Sequence, residues 1–121
     1  MIQEEFNQQF RDRTKALALE IINITSSIKY SDALSIVRKQ VIRSATSVAA
    51  NFRAVCRARS EKERFAKLCI VVEEADETLF WIEILIEGNF ISADKIIKSQ
   101  RESEEILKVM AAFKKKLQQH R

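Results

Sequence analysis

Glu73-Glu74-Ala75-Asp76-Glu77 puts four carboxylates on little more than one turn of a helix. Carboxylates projecting into a helical bundle are the ligands of di-metal centres, which also draw a Glu-x-x-His pair from each of two helices. This chain has one histidine, His120, and position 117 is Leu117 rather than a glutamate. Zinc is no better served, because the only two cysteines, Cys56 and Cys69, lack the C-x-x-C spacing of a thiolate site. Without an internal histidine, no nucleophile, base and orienting group can be assembled. The expectation is a protein with no catalytic residues, no metal and no cofactor, and so not an enzyme.

The chemistry that remains is recognition by charge. Arg43, Ser44, Ser47 and Asn51 recur at helical spacing and share a face with the small residues Ala45, Thr46, Ala49 and Ala50. Folding this segment back about Ser60 pairs positions whose numbers add to about 119, as in an antiparallel helix pair. Arg43 then falls near Asp76 and within a turn of Glu73 and Glu77, while Ser47 falls near Val72 and Asn51 near Leu68. A charge-assisted pair between Arg43 and one of these carboxylates is predicted. Its expected role is structural, fixing register within a bundle or between subunits; ligand binding is the alternative.

A second group is basic. Arg53, Arg57, Arg59, Lys62, Arg64 and Lys67 surround the turn near Ser60, and Lys114, Lys115, Lys116 and Arg121 close the chain. In an up-down bundle these two regions meet at one pole, which suits a phosphate backbone and salt-dependent binding to RNA or DNA. The bland alternative is a solvated rim whose cations pair with Glu61 and Glu63. No aromatic residue is interleaved in a pattern for base stacking, which weakens the single-strand case.

The scaffold for these groups is legible in composition. The 121 residues include no proline and one glycine, Gly88, and 46% are hydrophobic. That excludes the turn-rich β folds, glycine-loop nucleotide folds and Pro- or Gly-rich disorder, and leaves an all-α domain. Four helices are predicted, at about residues 5–28, 33–58, 61–87 and 93–119, in a single antiparallel up-down-up-down four-helix bundle. The first stripe is Phe6, Phe10, Thr14, Leu17, Ile21, Ile24 and Ile28. The second is Leu34, Val37, Val41, Ala45, Val48, Phe52 and Val55. The third is Phe65, Leu68, Val72, Ala75, Leu79, Ile82 and Ile86. The fourth helix is apolar at Ile96, Ile97, Ile106, Leu107, Met110, Phe113 and Leu117. Ser31 or Asp32 is expected to cap the second helix. Ser60 and Glu63 should form a reciprocal capping box, Gly88 should end the third helix in a left-handed conformation, and Ser92 should cap the fourth.

Charge is unevenly spread. The net +4 divides into −1 over residues 1–32, +7 over 33–67, −6 over 68–90 and +4 over 91–121. Blocks of opposite sign in so small a domain point to partner surfaces inside the bundle or between subunits. The third helix is also apolar over more than one face: Phe80, Trp81, Ile84 and Leu85 add to its stripe. These four residues either cover the bundle ends or, as the favoured expectation, form a subunit interface of a homo-oligomer. No apolar run is long enough to span a membrane. The opening MIQEEFNQQFRDR is unlike a signal peptide, and the two cysteines read as reduced thiols, so a cytoplasmic location is expected.

Three stretches carry a family resemblance: Gln40-Val-Ile-Arg-Ser-Ala-Thr-Ser-Val-Ala-Ala-Asn-Phe-Arg-Ala, Arg57-Ala-Arg-Ser-Glu-Lys-Glu-Arg-Phe and Leu68-Cys-Ile-Val-Val-Glu-Glu-Ala-Asp-Glu-Thr. Together they resemble the bacterial four helix bundle protein family, often called 23S ribosomal RNA intervening-sequence proteins. The matching residues are Arg43, Ser44, Ser47, Asn51, Arg57, Ser60, Glu74 and Glu77; Arg53-Ala54 stands where the family usually has Glu-Gly or Glu-Ala. The resemblance implies an antiparallel bundle assembling as a ring-like homopentamer. It also implies similarity to the accessory variability protein of diversity-generating retroelements, a basic pentamer that binds nucleic acid and a reverse transcriptase. The function expected is thus a non-enzymatic oligomer contacting RNA or DNA through its basic pole, or alternatively a protein-interaction scaffold.

Overall fold

With no proline to interrupt them, long apolar repeats at spacings of three and four propagate as helices. The computed structural model describes residues 2–119 and contains α1 (Gln3–Ser26), α2 (Asp32–Cys56), α3 (Glu61–Glu87) and α4 (Ala93–Gln119), with no strand among the described residues. Each helix packs on its sequence neighbours and α1 closes against α4, as in an antiparallel four-helix bundle. The α2–α3 pair is the most extensive and the α1–α4 pair the sparsest.

Helix ends follow local chemistry. The Ser31 hydroxyl accepts from the Leu34 amide at 3.0 Å, and the Ser60 hydroxyl accepts from the Glu63 amide at 3.1 Å. The Glu63 carboxylate turns to Arg59 at 3.6 Å, so the expected reciprocal box is only half built. Helix α1 stops at Ser26, two residues before expected. There the Ser26 and Ser27 hydroxyls donate to the Ile22 and Ile24 carbonyls, satisfying the last turn locally. Helix α2 likewise stops at Cys56, and the Lys95 amide in the first turn of α4 bonds to the backbone carbonyl of Ser92 at 3.1 Å.

The end of α3 corrects an expectation. Gly88 keeps φ −81°, and Asn89 is the residue in the left-handed region, at φ 62°. The Phe90 amide bonds to the Leu85 carbonyl and the Asn89 amide to the Ile86 carbonyl, both at 3.0 Å, which is a Schellman end. Asparagine tolerates that conformation. Glycine is required at 88 for space: a Cβ there would sit 2.8 Å from the Ile84 carbonyl oxygen and 2.9 Å from the Phe90 ring.

The core face of α3 also differs from the predicted stripe. Leu68, Val71, Ala75, Thr78, Ile82 and Leu85 are buried, and α4 buries Ile96, Ser99, Ser103, Ile106, Met110 and Phe113. Both sets step by three and four without a break, the seam of left-handed helix packing. Val72 and Ile86 are only partly buried. The middle of the bundle is narrow and polar-edged: Thr14, Ser44, Thr78, Ser99 and Ser103 are buried there with Ala18, Ala45 and Ala75, which lets the helices approach closely. At one end Phe6, Phe10, Phe52 and Phe113 interlock, with ring centroids 4.8 to 6.5 Å apart.

Candidate nucleic-acid interface

Arg43 bridges two carboxylates of α3. Nη1 lies 3.0 Å from Glu74 Oε2 and Nη2 lies 2.6 Å from Glu77 Oε1, while Nε donates to Gln40 at 3.2 Å. The Trp81 indole N–H donates to the same Glu77 oxygen at 3.2 Å. These donors hold the Glu77 carboxyl below the ordinary carboxylate range, Arg43 contributing most and Trp81 next. Glu77 in turn raises the Arg43 pKa. The Arg43 side chain is 47% exposed, so water screens the pair and its stabilising effect is small.

The polar residues predicted as one network separate into three. Ser44 turns inward, where its hydroxyl lies 3.0 Å from the Thr78 hydroxyl and 3.2 Å from the Val41 carbonyl. The Asn51 amide donates to the Ser47 carbonyl and hydroxyl at 2.9 and 3.0 Å. Glu73 and Asp76 face solvent and do not join Arg43, whereas Glu77 does; the pairs that form have indices summing to 117, 120 and 122, on either side of the expected 119. Thr78 was not anticipated. Its position in the three-four spacing is the signal that finds it, whereas hydropathy passes over a threonine.

The helix ends that carry the basic residues converge. Arg64 at the start of α3 places its guanidinium 5.2 Å from the ring centroid of Phe113 near the end of α4, and Phe6 of α1 lies 5.3 Å from the same ring. Arg59 pairs with Glu63 at 3.6 Å and Arg64 with Glu61 at 3.4 Å. Among the described residues, Arg53, Arg57, Lys62, Lys67, Lys114, Lys115 and Lys116 form no ion pair. Arg53 and Arg57 line a groove between α1 and α2, while Arg64 and Lys116 border a separate pocket of about 470 Å³ against Phe6 and Phe113. Arg121 and His120 lie outside the described residues. Nearby, Cys56 is a free, half-buried thiol whose pKa is pushed up by burial, against the lowering effect of Arg11.

Of the four residues expected at a subunit interface, Leu85 is a correction. It is 0% exposed and belongs to the core seam, because the face of α3 that packs inward is rotated by one position from the predicted stripe. Ile84 and Trp81 are half-buried against the core, and Phe80 is 49% exposed with its ring 4.9 Å from that of Trp81. No group of three or more His, Cys, Asp or Glu side chains among the described residues stands close enough to hold a metal. Among the described residues, no helix is long and apolar enough to cross a membrane.

A family model described as 23S rRNA-intervening sequence protein matches residues 7–112. Among solved structures, the chain is similar to a protein of unknown function from the S23 ribosomal protein family of Bacteroides thetaiotaomicron VPI-5482. Sequence identity is 29% and the TM-score 0.79, over 90% of this chain and 97% of the other. No curated protein matches.

Proposed function

Because the chain belongs to the 23S rRNA-intervening sequence protein family, we propose that it acts as a non-enzymatic, cytoplasmic homo-oligomer whose basic pole contacts the backbone of RNA or DNA. The observation that carries this reading is the set of seven cations without ion-pair partners among the described residues, gathered around the converging ends of α2, α3 and α4. Unpaired lysines and arginines release counterions from a phosphate backbone, which is the main source of sequence-independent affinity. The oligomer proposed is a pentameric ring. Self-association is supported by the apolar groups left open on α2 and α3, where Ile36 is 64% and Phe80 49% exposed, and the number five by the family resemblance alone.

Binding of a labelled single strand and a labelled duplex, titrated with salt, tests the nucleic-acid reading. Affinity should fall steeply and log-linearly with salt, and Lys114→Ala, Lys115→Ala and Lys116→Ala combined should flatten the slope by roughly 2–3. Absence of binding at low salt overturns it. The second reading, a protein-interaction scaffold, is favoured by one feature: exposed Phe80 stands among exposed Glu73 and Asp76, a surface suited to a basic, apolar partner.

A further inference from the structure

The fold brings aromatic rings from α1 and α4 to the basic pole. A pocket of about 470 Å³ opens there between α1, α3 and α4. Its walls are Phe6, Val109, Phe113 and Leu117, and its two cations are Arg64 and Lys116. Lys114, Lys115 and Lys62 stand within two residues of these cations, without ion-pair partners among the described residues.

We infer that this pocket receives one unstacked nucleobase, so that the pole prefers single-stranded RNA or DNA to duplex. The inference rests on the nucleic-acid reading above and adds to it the strand class and the seat of the base. The pocket calls for a ligand with an apolar face and an adjoining negative charge. A nucleotide has both, joined covalently. An apolar side chain of a protein partner would fill the walls and leave Lys116 without counter-charge, since among the described residues Arg64 alone of the two cations has a carboxylate partner, Glu61 at 3.4 Å. A duplex satisfies the cations and leaves the walls empty, because its bases are stacked on one another and only an unpaired base can be turned out onto protein. Phe6 is the partly exposed ring of the wall; Phe113 lies behind it, 5.3 Å between centroids and 8% exposed, with the Arg64 guanidinium 5.2 Å from its centroid.

Fluorescence anisotropy of the full-length protein with labelled 12-nucleotide strands tests this. The probes are a base-containing single strand, the same backbone with abasic sites, and the matching duplex. The base-containing strand should bind about tenfold or more tighter than the abasic strand of equal charge, in line with base–aromatic stacking. Ala112→Leu fills the pocket from an exposed helical position without touching the core, and should remove that preference while leaving duplex binding unchanged. Phe6→Leu keeps the wall apolar but takes away its aromatic face, and should reduce the preference part-way. Equal affinity for abasic and base-containing strands overturns the pocket and leaves the basic pole standing. A preference that survives Ala112→Leu puts the base elsewhere and also overturns it. No binding of any strand at low salt overturns the pole and the pocket together.

Discussion

The hydroxyl of Thr78 on α3 lies 3.0 Å from that of Ser44 on α2, and both side chains are almost wholly withdrawn from water. The Thr78 oxygen is also 2.8 Å from the Glu74 carbonyl, one residue set that links the buried seam to the Arg43 bridge outside it. A buried polar contact of this kind adds little net stability when made and costs more when one partner is left unmatched.

Thr78→Val keeps the shape and removes the hydroxyl, so it should cost about 1 kcal/mol. Thr78→Ala also removes packing and should cost roughly 2–3 kcal/mol. Ser44→Leu would force a larger group into the narrow α2–α3 contact and destabilise by roughly 1–3 kcal/mol. Urea unfolding followed by helical circular dichroism reads all three as lowered midpoints with unchanged slopes. A neutral Ser44→Leu would show that the two helices do not meet closely there.

How far this arrangement could be read in advance depended on which residues fill the seam. In α2 the buried positions are aliphatic or aromatic apart from Ser44, and the predicted Leu34, Val37, Val41, Ala45, Val48, Phe52 and Val55 are all buried. In α3 apolar residues stand on several sides, so periodicity could not choose between Val72 and Val71 or between Ile86 and Leu85. In α4 the seam passes through Ser99 and Ser103, which a hydropathy pattern skips although the three-four step runs through both. Glycine commonly ends helices by its conformation, whereas the constraint at Gly88 is the space left by the Ile84 carbonyl oxygen and the Phe90 ring. The pairing of Phe6 with Phe113 and Arg64 joins residues far apart in the chain, and nothing local signals it.

Leu85 and Phe80 were expected to act together, and their burial predicts opposite behaviour. Leu85→Ala empties a fully buried site and should cost about 2–5 kcal/mol. Phe80→Ser should leave helical content intact and, if the ring assembly holds, lower the sedimentation coefficient and remove the concentration dependence of the melting midpoint. Analytical ultracentrifugation with thermal melts at several concentrations separates the two. A Leu85→Ala protein that is as stable as the parent but dissociated would return Leu85 to the interface.

Trp81 is the chain's only tryptophan and it hydrogen-bonds Glu77, so its emission reports the charge on that carboxylate. Arg43 and Trp81 hold the Glu77 pKa below its ordinary value in the folded protein, while the unfolded chain has no such partners. The ionised form is therefore favoured by folding. Its stabilisation is complete above the ordinary carboxylate range, and it is lost as pH falls toward and through the depressed folded value. Trp81 emission should accordingly titrate below the range of a free glutamate, and Glu77→Gln should abolish that step. Because both partners are partly exposed, the stability at stake is under about 1 kcal/mol, seen as a shallower acid limb in Glu77→Gln than in the parent. Arg43→Met should move the emission step upward toward the ordinary range, since the larger of the two lowering influences is gone. An emission step at the same pH in the Arg43→Met protein would show that the bridge does not set the charge on Glu77.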